Sequence, residues 1–141
     1  MEYQLLATDM DGTLLNEKKE ISVENQQAIN RALDMGKDVI FSTGRSLSET
    51  EPYFAAFPKM RYLLCESGAL LYDIRQQKIL DREMIQPSVA EEILTYTTGR
   101  DVLLQIMMEG KSMFEDSMLE RLQDYQNDHL RELFRDTGTF C

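Results

Sequence analysis

Residues 5–15 read LLATDMDGTLL, an apolar run that ends in two carboxylates one residue apart and then a glycine. Two neighbouring acids repel each other, and at the end of a strand they also lose water. Two readings compete for the pair. Asp and Gly are common turn residues, so Asp9 and Asp11 fit a solvated turn. They also fit an acid pair that holds a hard divalent cation while one carboxylate attacks a substrate. A helix–loop–helix calcium site is excluded. Counted from Asp9, it needs an acid or amide at Thr13 and a glycine at Leu14, and an apolar strand precedes the loop where that motif has a helix.

The surrounding pattern decides where the pair sits. Tyr3–Thr8 is predicted as a strand covered on both faces, and Asp9–Glu20 as a loop. Ser22 caps a helix that carries Val23, Ala28, Ile29, Ala32 and Leu33 on one side and stops at Gly36. A second buried strand spans Asp38–Thr43, and Gly44-Arg45 turns. Ser46-Leu47-Ser48-Glu49 is a capping-box pattern opening a helix bounded by Pro58, and Tyr62–Cys65 is a third strand. Strand, helix, strand, helix, strand implies a parallel sheet. Ala69–Asp73 and Lys78–Asp81 read as a hairpin.

Beyond Arg82 the order becomes helix, strand, strand, helix, the start of an α+β unit. Gln86-Pro87 is the expected hinge. Ser88-Val89-Ala90-Glu91 is a second capping pattern, opening a helix with Val89, Ile93, Leu94 and Thr97 on one side. Val102–Met108 and Ser112–Glu115 form the expected hairpin, and Met118, Leu122, Tyr125, Leu130 and Leu133 mark a last helix. The expected domains are residues 1–84 and 85–141.

In a parallel sheet, ligands bind at the carboxyl ends of strands. Asp9 and Asp11 end the first strand, Ser42 and Thr43 the second, and Glu66, Ser67 and Gly68 follow the third. Three strand ends thus bring polar groups to one edge. At Thr43-Gly44, where a helix begins, main-chain N–H groups and the Thr43 hydroxyl suit an anion. Arg45 pairs with phosphate or substrate, or forms a salt bridge. His129, the sole histidine, falls in a charged helical stretch and reads as a surface residue.

Composition narrows the partners. A net charge of −10 argues against nucleic acid and against anionic membrane surfaces. No apolar run approaches a membrane span, and the start lacks a signal-peptide pattern. Cys65 and Cys141 have no regular spacing and are expected to be reduced thiols in a cytoplasmic protein.

These motifs together resemble the haloacid dehalogenase-like (HAD) hydrolases. Asp9-Met10-Asp11-Gly12-Thr13-Leu14 is similar to motif I of that superfamily. Phe41-Ser42-Thr43-Gly44-Arg45 resembles motif II of its Cof-type branch, subclass IIB, and Glu66-Ser67-Gly68-Ala69 resembles the Asn-Gly-Ala segment of that branch, with serine where asparagine is common. Only 31 residues separate Asp11 from Thr43, which leaves no room for a cap between the first two motifs. The resemblance implies an α/β fold: a Rossmann-like parallel-sheet core, N-terminal half, followed by an incomplete α+β C2-type cap.

It also implies a magnesium-dependent phosphatase acting on a small phosphorylated metabolite. Asp9 would be the nucleophile and Asp11 the general acid and base. The Asp9 carboxylate and the Asp11 main-chain carbonyl would hold Mg2+, and Met10, Gly12, Thr43, Gly44 and Arg45 would bind the phosphoryl group. Two family motifs have no counterpart. The lysine that steadies the phosphate is lacking, Lys111 being the only lysine after Asp81, and no Gly-Asp pair supplies the last acidic motif. The 141 residues therefore match roughly the first half of a full-length member. Such a chain is expected to be impaired, to repel phosphate for want of the lysine, and to self-associate through uncovered apolar surface. The competing expectation is a non-catalytic half-HAD module that binds a phosphorylated ligand or a protein.

Overall fold

The computed structural model describes residues 2–115 and 138–140. The expected last helix and His129 lie outside the described residues. The chain divides into two compact units, Met1–Glu83 and Met84–Cys141.

The first unit is built on a five-stranded sheet in the order β1-β2-β3-β4-β5. Strands β1 (Leu5–Thr8), β2 (Asp38–Ser42) and β3 (Tyr62–Cys65) run parallel, as the alternation requires. The hairpin β4 (Leu70–Asp73) and β5 (Lys78–Arg82) joins the same sheet in antiparallel sense, so the sheet is mixed. Asp73 is fully buried at the hairpin and closes it. One oxygen accepts the Arg75 and Gln76 main-chain N–H groups, and the other accepts Arg61 Nε at 3.0 Å.

Helix α1 (Val23–Asp34) connects β1 to β2. Ser22 Oγ accepts the Asn25 N–H at 3.2 Å, an N-cap bond. Ile29 and Leu33 are buried, while Val23 and Ala28, placed on the same face by periodicity, are exposed. Between β2 and β3, helix α2 (Leu47–Thr50) tightens into a 3-10 turn over Glu51–Ala56. The Glu49 carboxylate accepts both the Ser46 N–H at 2.6 Å and the Ser46 hydroxyl at 2.7 Å, fixing the start of α2. Asn30 of α1 donates to the Ala56 carbonyl at 2.9 Å and ties the two helical segments together. The core between sheet and helices centres on Val39, Phe41, Phe57, Met60 and Leu63, with the Phe41 and Phe57 rings edge to face at 5.4 Å. Each such side chain contributes on the order of 1.5–3 kcal/mol by leaving water.

Strand β1 departs from expectation. It begins at Leu5, and Leu5 and Leu6, which alternate across the sheet, are 57% and 53% exposed. Its apolar residues suit cover on both faces, but β1 lies at the sheet's edge.

In the second unit, helix α3 spans Pro87–Thr97. The expected cap at Ser88 is not used. Pro87 lacks an N–H and has a φ preset for the first helical turn, so the helix begins there and Ser88 falls inside it. Strands β6 (Gln105–Met108) and β7 (Lys111–Glu115) form the expected hairpin. Its two-residue turn places Glu109 at φ +54° and Gly110 at φ +78°, the left-handed pair that matches strand twist. Strand β8 (Gly138–Phe140) pairs parallel with β7, which periodicity did not indicate.

Cys65 is buried at the end of β3, and burial pushes its thiol up to about 12. The thiol is protonated at every pH well below that value, and the thiolate is the reactive form. Native protein treated with iodoacetamide at pH 8 should leave Cys65 unmodified, and denaturant should make it reactive. Peptide mass spectrometry reads both outcomes.

Candidate active site

The end of β1 is shaped by a type II turn. Asp11 (φ −75°, ψ 125°) and Gly12 (φ 72°, ψ 0°) are its central pair, and a residue with a side chain is strained at the second position. The turn sends the Met10 side chain into the core, fully buried, so that side chain cannot face a ligand, and the Met10 carbonyl accepts the Leu15 N–H at 2.8 Å. Asp9 is exposed, with the Thr13 hydroxyl 3.4 Å from its Oδ2.

The neighbouring strand end is laced to the third. Thr43 is buried. Its N–H donates to the Leu64 carbonyl at 3.0 Å, and its carbonyl accepts the Ser67 N–H at 3.1 Å. Glu66 N–H donates to the Arg45 carbonyl at 2.8 Å. Thr43 Oγ1 accepts the Arg45 N–H at 3.2 Å, which leaves its own proton available to a ligand. A Cβ added to Gly44 would stand 3.4 Å from Ser67 Oγ, so the loops after β2 and β3 touch. Glu66, Ser67 and Gly68 all take positive φ, at +53°, +57° and +94°.

Charge brings the first two strand ends together. Arg45 holds Asp11 with two bonds, Nε to Oδ2 at 2.6 Å and Nη2 to Oδ1 at 2.8 Å. Lys19 Nζ adds a third, 2.7 Å from Oδ1. Of the alternatives for Arg45, the salt bridge is therefore the one formed here. The Arg45 hydrogen bonds, with the one from Lys19, outweigh burial and hold the Asp11 carboxyl well below its usual range. The same pairing raises Arg45. Lys19, which meets Asp11 here, has no signal in the sequence, because a lysine in a polar loop carries no periodicity.

Magnesium would find hard oxygen donors in the Asp9 carboxylate and the Asp11 main-chain carbonyl. The Asp11 carboxylate is already occupied by two cations. Among the described residues no group of three or more His, Cys, Asp or Glu side chains converges. Those residues do not make a complete magnesium site. Among the described residues, also, no helix is long and apolar enough to cross a membrane.

A family model for haloacid dehalogenase-like hydrolases matches residues 6–137. The chain belongs to this family. It is 27% identical over 128 residues to phosphatase YwpJ of Bacillus subtilis (strain 168), covering 91% of this chain and 44% of that protein. It is 36% identical over 90 residues to the 5-amino-6-(5-phospho-D-ribitylamino)uracil phosphatase YcsE of the same organism, covering 61% of this chain and 36% of that protein. The solved structure of a haloacid dehalogenase-like hydrolase from Bacteroides thetaiotaomicron superposes with a TM-score of 0.77 at 18% identity, over 99% of this chain and 51% of that one. The likeness establishes a HAD core with a small cap, and the chain spans less than half the length of these two curated relatives.

Left-handed backbone costs a side-chain-bearing residue roughly 1–2 kcal/mol, and asparagine bears it better than serine. Ser67→Asn should therefore raise stability by up to about 1 kcal/mol, and Ser67→Val should lower it. Urea midpoints of the two variants check the pair.

Proposed function

We propose that this chain carries the nucleophile half of a phosphatase site, and that the site hydrolyses small phosphate monoesters through an aspartyl-phosphate on Asp9. The observation that carries the reading is the meeting of β1 and β2. Their parallel register pairs Thr8 with Phe41, so Asp9 and Asp11 emerge beside Thr43, Gly44 and Arg45. Family membership supports hydrolytic chemistry, and the relatives' phosphatase names support the substrate class. The arrangement of the first three motifs supports a subclass IIB assignment with a C2-type cap, and the share of each relative that is matched supports a partial core.

The chemistry follows from residue types. An Asp9 oxygen attacks phosphorus, and the bond from phosphorus to the ester oxygen breaks. The Thr43 hydroxyl and the Gly44 N–H suit the phosphoryl oxygens, and Arg45 suits them once it turns from Asp11. In the second half, Asp11 takes a proton from water, the hydroxide attacks the aspartyl-phosphate phosphorus, and phosphate leaves Asp9 free. With both cations in place Asp11 is ionised but holds a proton poorly, so the base role waits on Arg45 turning away. The acid role needs those contacts loosened. A leaving group that departs without a proton, such as a nitrophenolate, therefore fits this site better than an alkoxide.

Magnesium, which the family typically uses, would be held by the Asp9 carboxylate and the Asp11 main-chain carbonyl, with water in its remaining positions. The second reading, a module that binds phosphate without turnover, is favoured by the two cations already occupying Asp11.

Hydrolysis of p-nitrophenyl phosphate tests the proposal. Turnover in magnesium is expected, with loss in chelator and in Asp9→Asn, and with a far lower rate on an alkyl phosphate. Activity that survives Asp9→Asn refutes the nucleophile assignment. Phosphate binding by folded protein without turnover selects the second reading.

A further inference from the structure

Lys19 is fixed more firmly than an ordinary surface lysine. It lies in the loop Asn16–Glu20, between Leu15 and Ile21, which bridge each other. Asn16 Oδ1 accepts the Lys18 and Glu20 N–H groups, and the Asn16 carbonyl accepts the Lys19 N–H at 2.9 Å. Lys19 itself sits at φ +60°, a left-handed conformation that disfavours a lysine. Tyr53 Oη, from the segment after α2, donates to the Lys19 carbonyl at 2.9 Å. The Arg45 guanidinium lies 5.9 Å from the centre of the same Tyr53 ring. One tyrosine thus holds the loop that carries one cation and lies against the other, and both cations end on Asp11.

The consequence is electrostatic. Asp9 and Asp11 alone would repel a phosphate dianion. The expectation that the site repels phosphate for want of a lysine overlooks this arrangement, because Lys19 and Arg45 balance the two carboxylates. The two cations are not equivalent. Arg45 is attached next to Thr43 and Gly44, and its planar fork matches a phosphate as well as a carboxylate. Lys19 is attached across from it and presents a point charge.

Resting on the proposed phosphate site, we infer that Lys19 is a positioning residue of that site. It retains Asp11 and offsets its charge while Arg45 turns to the phosphoryl group. The ligand class is a phosphate monoester or inorganic phosphate.

Titration of the intact chain with inorganic phosphate, followed by isothermal calorimetry, tests the inference. Folding of each variant is checked by circular dichroism. Lys19→Gln and Lys19→Met should each bind phosphate about tenfold more weakly, the loss of one charge-assisted contact. Lys19→Arg should recover most of the affinity, and added salt should weaken the wild type more than the neutral variants. Unchanged affinity in both neutral variants, with loss in Thr43→Val, overturns the role of Lys19 and leaves the phosphate site standing. An Arg variant as weak as the neutral ones also overturns it, because charge would not be what matters. Absence of binding by the wild type overturns the phosphate site and this inference together.

Discussion

The parallel pairing of β1 with β2 is the constraint on which the site depends. Adjacent parallel strands end at the same edge of a sheet, about 4.8 Å apart. Whatever follows β1 must then meet whatever follows β2. Here a tight turn carrying two carboxylates meets a loop carrying a threonine, a glycine and an arginine. The third strand fixes that loop from the other side, through main-chain bonds from Glu66 and Ser67 to Arg45 and Thr43. The strand ends at this edge are thus held by backbone bonds, and the charged tips are joined to one another through Asp11.

Asp11 is the electrostatic centre. It is only partly buried, and three short bonds from two cations converge on it. Arg45 meets it bidentately and Lys19 makes the pair a three-charge network, the geometry in which partly exposed ion pairs do add to stability. The contacts also set geometry and charge: they fix the turn after β1 against the loop after β2, and they leave the edge close to neutral where two bare carboxylates would make it strongly negative. Tyr53 extends this order to the loop that bears Lys19.

Much of the first unit is legible in the sequence because each element carries its own local chemistry. Val39 and Phe41 alternate into the core, Ser22 and the Ser46–Glu49 pair mark helix starts, and Asp11-Gly12 carries the turn that a positive φ requires. What escaped depends on distant partners. The Leu5-Leu6 pair reads as a covered strand, yet strand order puts it at an edge. Val23 and Ala28 follow the helical period of α1 but lie beyond the packed face. Pro87 outcompetes Ser88 as the start of α3 because its ring presets the first turn. At the site, the motif residues Asp9, Asp11, Thr43, Gly44 and Arg45 were readable from order and spacing. Lys19 and Tyr53 were not, since a salt bridge closed by a loop and a tyrosine 34 positions away leaves no pattern in either segment.

The clamp on Asp11 is tested most directly by carbon NMR of the aspartate side-chain carboxyls across an acid titration. Arg45 and Lys19 should keep the Asp11 resonance in its ionised position well below the ordinary value of 3.8. Arg45→Met should move its titration back toward that value. A wild-type Asp11 that titrates near 3.8 and is indifferent to Arg45 would contradict the arrangement of charges at this strand edge.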